Sequence, residues 1–246
     1  MKYSILVIAV LVGVLAYVGL PLIADSDESK TDKPTPKPTT VEQDKNIVRF
    51  DNGVTVYLEK DERVEAEAEM LGGQSRLLEF LAVTSSGPVH EALLRIYGKA
   101  YDIHQGLELL GLKCGTKKLE FRGDPADPDG PKVDVSVKFK DKDGKKQETP
   151  IHEWLYNVET KKPMEAGPWI FTGSISEFRE ELNRDIYLAD QMSTVIALWH
   201  DPSCLLDNPR EGGARADVYA PNQQAGAMPA PRSVVQLVFR PHKEKK

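Results

Sequence analysis

The sequence predicts an α+β fold built predominantly on antiparallel β-sheet, with one clear helix at about 100–110 and short helical turns. Three observations predict it. Val64, Ala66, Ala68 and Met70 alternate with Glu65, Glu67 and Glu69, the two-residue period of a strand with one wet face. Val133, Val135 and Val137 repeat that period against Asp134, Ser136 and Lys138. Ile103, Leu107 and Leu110 fall on one helical stripe, and Gly111 follows as a C-terminal stop.

The chain divides into three parts. Residues 1–24 are a leader. Lys2 is the only charge before Asp25, and Tyr3 to Ala24 is apolar almost throughout. At 1.5 Å per residue such a helix spans a bilayer core of roughly 30 Å. The positive end precedes it and Asp25, Asp27 and Glu28 follow, which directs the rest of the chain out of the cytoplasm. An uncleaved signal anchor fits the length, and a cleaved signal peptide is the alternative. Residues 25–46 carry Pro34, Pro36 and Pro38 and almost no apolar side chain, as an extended spacer does. Residues 47–246 are the globular domain.

Its elements follow in order. Gly72-Gly73 turns the chain after the 64–70 strand. Leu77 to Thr84 is a buried strand. His90 to Tyr97 suits either a helix or a strand. After the 133–138 strand, Lys142-Asp143-Gly144 supplies a hairpin turn. Thr149-Pro150 opens a short helix with Ile151, Trp154, Leu155 and Val158 on its apolar face. Trp169 to Ser174 and Thr194 to Trp199 are further strands. Asp201-Pro202 starts a single helical turn through Leu206. Ser233 to Arg240 closes the fold, with Val235, Leu237 and Phe239 on one face.

Composition narrows the function. The net charge is −6, which argues against nucleic acid or an anionic membrane surface as ligand. The membrane is met through the N-terminal helix only. Two cysteines exclude a disulfide-dense scaffold.

The segments LEFLAVTSSGPVHEALL (78–94), IHQGLELLGLK (103–113), EWLYNVETKKPM (153–164), WIFTGS (169–174), YLAD (187–190) and TVIALWHDPSCLLDNP (194–209) occur in one order. Over roughly residues 64–241 the chain resembles the YdjY-type domain of exported bacterial proteins. The resemblance implies export and supplies no activity. Some relatives carry clustered cysteines and are described as ferredoxin-like. Cys114 and Cys204 are 90 positions apart and no C-x-x-C occurs, so no iron–sulfur cluster carries over.

Several residues have the chemistry of a site. His90-Glu91, beside a Ser85-Ser86-Gly87-Pro88 turn, suits a divalent metal or proton exchange. His104 lies four residues before Glu108 on the helix, where a surface pair is the plain reading. His152 and His200 join only by tertiary accident. The metal candidates are therefore His90, Glu91, His104 and His200; no other cofactor is expected. His200-Asp201-Pro202-Ser203 reads as a turn and not as a hydrolase relay. Asp124 to Gly130 has a calcium loop's composition without its spacing. Cys114 and Cys204 either form a disulfide across a loop of about 90 residues or stay as two free thiols. Trp154, Trp169 and Trp199 read as core.

Two functions compete. One is an exported, membrane-tethered binding or interaction module of the cell envelope, with an envelope protein or small ligand as partner. The other is a metal-binding protein or metal-dependent hydrolase.

Overall fold

The computed structural model describes residues 45–72, 77–225 and 228–244. The leader and most of the spacer lie outside the described residues. Among the described residues no helix is long and apolar enough to cross a membrane. Gln43–Lys246 forms one compact unit.

Eight strands make its centre: β1 (Arg63–Met70), β2 (Phe80–Thr84), β3 (Ala92–Ile96), β4 (Lys132–Lys140), β5 (Trp169–Phe171), β6 (Thr194–Ala197), β7 (Leu206–Asp207) and β8 (Val234–Pro241). They pair in the order β1-β8-β4-β5-β7-β6-β2-β3. β3 then pairs back onto β1, with Ala68 opposite Ile96 and Met70 opposite Leu94. The sheet is therefore a closed eight-stranded barrel. This corrects the expected α+β fold with its antiparallel sheet: the described protein is mostly β, with two helices, α1 (Ala100–Leu109) and α2 (Leu188–Met192). Nor is the barrel purely antiparallel, since β2 with β3 and β6 with β7 run parallel.

The alternation in β1 is what the fold uses. Val64, Ala66, Ala68 and Met70 are all fully buried. Leu237 and Phe239 of β8 and Val133 and Val137 of β4 join the same core. β2, β3 and β6 are buried nearly end to end, because a second cluster of Phe80, Val83, Ala92, Ala197 and Cys204 covers another face. Burial on both faces makes these strands read as continuous apolar runs, and the parallel pairs occur among them.

α1 bridges the barrel wall. Gly106 lets it approach β1: a Cβ there would lie 2.8 Å from Val64 Cγ2. Farther along, the His104 ring meets Phe171 of β5 at 5.0 Å. β1 and β5 are separated by two strands in the barrel order, so the helix spans that width. Ile103 and Leu107 are fully buried, and Gly111 takes φ +84° just past the helix end, as expected.

Other expectations shift. The helix after Thr149-Pro150 is a single 3-10 turn, Ile151–Trp154, because Leu155–Asn157 becomes a strand paired with Tyr219–Pro221. The turn after Asp201 does not become helix, and Leu206 enters β7. Residues 92–96 of the ambiguous segment are strand. A hairpin of Ser176–Arg179 and Arg184–Tyr187 stands apart from the barrel as its own two-stranded sheet.

Leu94→Ala removes a fully buried side chain from the closing seam. The expected loss is about 2–5 kcal/mol, read as a lower urea midpoint at unchanged slope. Val234→Ala, on a barrel strand but 59% exposed, should leave the midpoint nearly unmoved.

Candidate functional site

The hairpin, α1 and α2 enclose a cleft of about 700 Å³. The chain enters the hairpin through Ser174, which is buried and holds φ +57°. That left-handed backbone is fixed by its hydroxyl, which donates to Ser203 O at 2.6 Å and accepts from Ala189 N at 3.0 Å. Leu188 N donates to Ile175 O at 2.9 Å and ties the hairpin's exit to its entrance.

Tyr101 of α1 and Tyr187 at the hairpin end form one wall of the cleft, ring centroids 5.2 Å apart and 65° between planes. Leu182 and Ile186 add apolar surface. Leu182 is 54% exposed and Tyr101 44%, so the fold itself leaves these groups uncovered. Arg184, Asp185 and Asp190 supply the charge. Asp190 Oδ1 accepts from Tyr101 N at 3.2 Å, which satisfies a free amide at the start of α1. Burial raises its carboxyl above the usual range, with that hydrogen bond opposing.

Behind this wall lies His104, buried on α1. Its Nδ1 is 2.9 Å from the Tyr187 hydroxyl, which also donates to Gly173 O at 3.2 Å. The hydroxyl proton cannot serve both, so His104 Nδ1–H is the donor to Tyr187. Nε2 is 3.4 Å from Glu108, the helical pair expected from the sequence. Burial lowers the His104 pKa, with Glu108 opposing, and burial raises Tyr187. A Cβ at Gly173 would meet Cys114 Sγ at 2.6 Å and His104 Cε1 at 3.3 Å, and φ there is +78°. Lys118 Nζ donates to Gly115 O at 2.8 Å and to Thr172 O.

The four metal candidates are not brought together. His90 is exposed and its Nε2 lies 3.3 Å from Glu91. Glu91 faces Glu79, whose carboxyl is raised by burial and then by hydrogen bonding to Glu91. Arg122 pairs with Glu79, lies 3.4 Å from Asp201, and sits over Phe80 and Trp199. His104 is behind the cleft. His152 is half-buried on the 3-10 turn. Among the described residues no three His, Cys, Asp or Glu side chains are arranged to hold a metal ion.

His200 is buried instead. Its two ring nitrogens face carbonyl oxygens, Asp124 O at 2.7 Å and Asn208 O at 2.9 Å. Carbonyls only accept, so the ring is held as an N–H donor between backbone oxygens. The fully buried Asp207 carboxyl, its pKa pushed up to about 7 by burial, lies 4.0 Å away and accepts from the backbone N–H groups of Asp201 and Asn208. The ring therefore turns away from Ser203, whose hydroxyl donates to Asp201 at 2.6 Å. Asp124 and Asp129 accept backbone N–H groups, as turn residues do. Cys114 and Cys204 are both free thiols, the second fully buried. Trp154 and Trp169 are core, and Trp199 donates to Ala214 O at 3.1 Å.

Sequence reasoning missed Tyr101, Tyr187 and Asp190 as a group. YLAD marked Tyr187 and Asp190 only as part of one of the ordered segments that carry the family resemblance, and nothing local joins them to Tyr101.

A model of the YdjY domain matches residues 40–202, about two thirds of the chain. The chain belongs to that family. No curated protein and no solved structure matches it.

The buried His104 gives a pH signature. Its folded pKa is below the unfolded value of 6.5, so the unfolded chain binds more protons as pH falls through 6.5. That contribution is lost on acidification, while the raised carboxyls of Asp207, Asp190 and Glu79 act in the opposite sense. Between pH 7 and pH 5 the melting temperature of the parent chain should therefore fall relative to that of His104→Gln, a difference that reads His104 alone. His152, lowered mainly by burial, is common to both proteins.

Proposed function

We propose that this YdjY-domain chain is an exported, membrane-tethered binding module of the cell envelope, with the cleft between the hairpin and the two helices as its ligand site. One observation carries the ligand site. The cleft joins exposed aromatic and aliphatic side chains to convergent charged groups on a root fixed by buried hydrogen bonds. Binding sites generally combine concavity, apolar lining and a few placed polar groups in this way. The tether rests on the sequence: an uncharged apolar run after Lys2, acids just beyond it and a proline-rich spacer.

Residues 25–46 are rich in proline and charge and nearly free of apolar side chains, the composition of a spacer.

Two measurements test the proposal. A small-fragment screen by protein NMR on Gln43–Lys246 should give hits that shift the amides of Tyr101, Leu182, Ile186 and Gln191 together. Leu182→Asp should weaken those hits by about tenfold with the fold intact. Hits confined to other surfaces contradict the site. Fractionation of the full-length chain in a bacterial host should place the domain outside the cytoplasm, open to added protease in spheroplasts. A protease-shielded cytosolic chain contradicts the tether.

A further inference from the structure

We infer that the cleft recognises an organic ammonium, a nitrogen carrying several alkyl groups, seated against Tyr101 and Tyr187 with Asp190 and Asp185 as its counter-charge. This rests on the cleft being the ligand site and names the chemistry that fits it.

The two tyrosine rings line the cleft edge to face, 65° between their planes, and do not form one flat platform. Aromatic faces attract cations that are weakly hydrated, which favours an alkylated nitrogen over a primary ammonium or a metal ion. The third ring of the group, His104, lies 6.0 Å from Tyr101 and 5.5 Å from Tyr187. It is buried and held towards its neutral form, so it does not repel a cation.

Charge points the same way. Asp185 and Asp190 line the cleft against one base, Arg184. The hairpin from Ser176 to Tyr187 carries Glu177, Glu180, Glu181 and Asp185 against Arg179 and Arg184. Arg179 is already paired with Glu177 at 2.8 Å. Among the described residues no ion pair joins Asp190 or Asp185 to a base, although the Lys99 charge is felt at Asp190. Asp190 is also half-buried, where a cation is felt more strongly than in open water. Leu182 and Ile186 add apolar surface for the substituents of the nitrogen or for the carbon chain behind it.

The test uses the full chain in detergent and two probes of matched shape. Choline carries the quaternary nitrogen, and 3,3-dimethyl-1-butanol replaces it with carbon. Ligand-observed NMR should show choline binding roughly tenfold more tightly than the alcohol. Asp190→Asn keeps an oxygen for the Tyr101 amide and removes the charge; it should erase most of that preference. Tyr101→Ala should weaken choline by a similar factor. Asp185→Asn, at an exposed position, gives a second reading of the charge effect if either variant unfolds. Equal affinity for the two probes at the cleft overturns the ammonium assignment while leaving the ligand site standing. Choline that fails to bind, or that binds all three variants as tightly as the parent chain, also overturns it.

Discussion

The structure depends on one seam. Where Ala68, Glu69 and Met70 meet Leu94, Arg95 and Ile96, an eight-stranded sheet loses both its edges. Met70, Leu94, Ile96 and Ala68 are fully buried there. On the wet side Arg95 pairs with Glu69, and the Tyr97 hydroxyl donates to the same carboxylate at 3.1 Å. Without the seam, β1 and β3 would present unpaired backbone groups beside strongly apolar side chains, an invitation to aggregation. Closure also fixes the spacing between β1 and β5, which α1 bridges from Val64 to Phe171. The cleft inherits its shape from that placement, because Tyr101 rides on the helix and Tyr187 leans against its His104.

A second layer of control is polar. The loop around 199–210 is rich in buried hydrogen bonds, an arrangement that is costly unless every group finds a partner. His200 is held between two carbonyls, Asp207 collects two backbone amides, and Asn208 Nδ2 donates to Leu198 O at 2.9 Å. Arg210 ties the same loop to Glu165 O and Gly167 O. Ser203, whose carbonyl accepts from Ser174, links this network to the root of the hairpin. The His200-Asp201-Pro202-Ser203 stretch, read from the sequence as a turn, is thus part of the scaffold, and the cleft lies beside it.

Local pattern was legible and closure was not. The alternation of Val64 to Met70 and of Val133 to Lys138 marks strands because one face is wet, and both form. Ile103 and Leu107 mark α1 for the same reason. The run LEFLAVT also becomes strand, from Phe80 onwards. Yet nothing in β1 announces that its second half pairs with residues 94–96, since register across a closing seam is a tertiary fact. Thr149-Pro150 carries a helix-start signal that the strand pairing of Leu155–Asn157 overrides. The histidines misled for a related reason. Their spacing allowed a metal cluster, but His200 is drawn inward by two carbonyls and His90 stays on the surface with Glu91. The cleft was illegible because its parts are 86 positions apart in the chain, from Tyr101 to Tyr187, and each alone looks like an ordinary surface tyrosine.

The central claim is that the barrel is closed and that closure sets the cleft. Backbone NMR of Gln43–Lys246, with amide exchange, addresses it most directly. The account predicts cross-strand nuclear Overhauser contacts joining Ala68 to Ile96 and Met70 to Leu94, with slow exchange for the amides paired across that seam. Rapid exchange along that stretch, with no contact between the two strands, would describe an open sheet and contradict it.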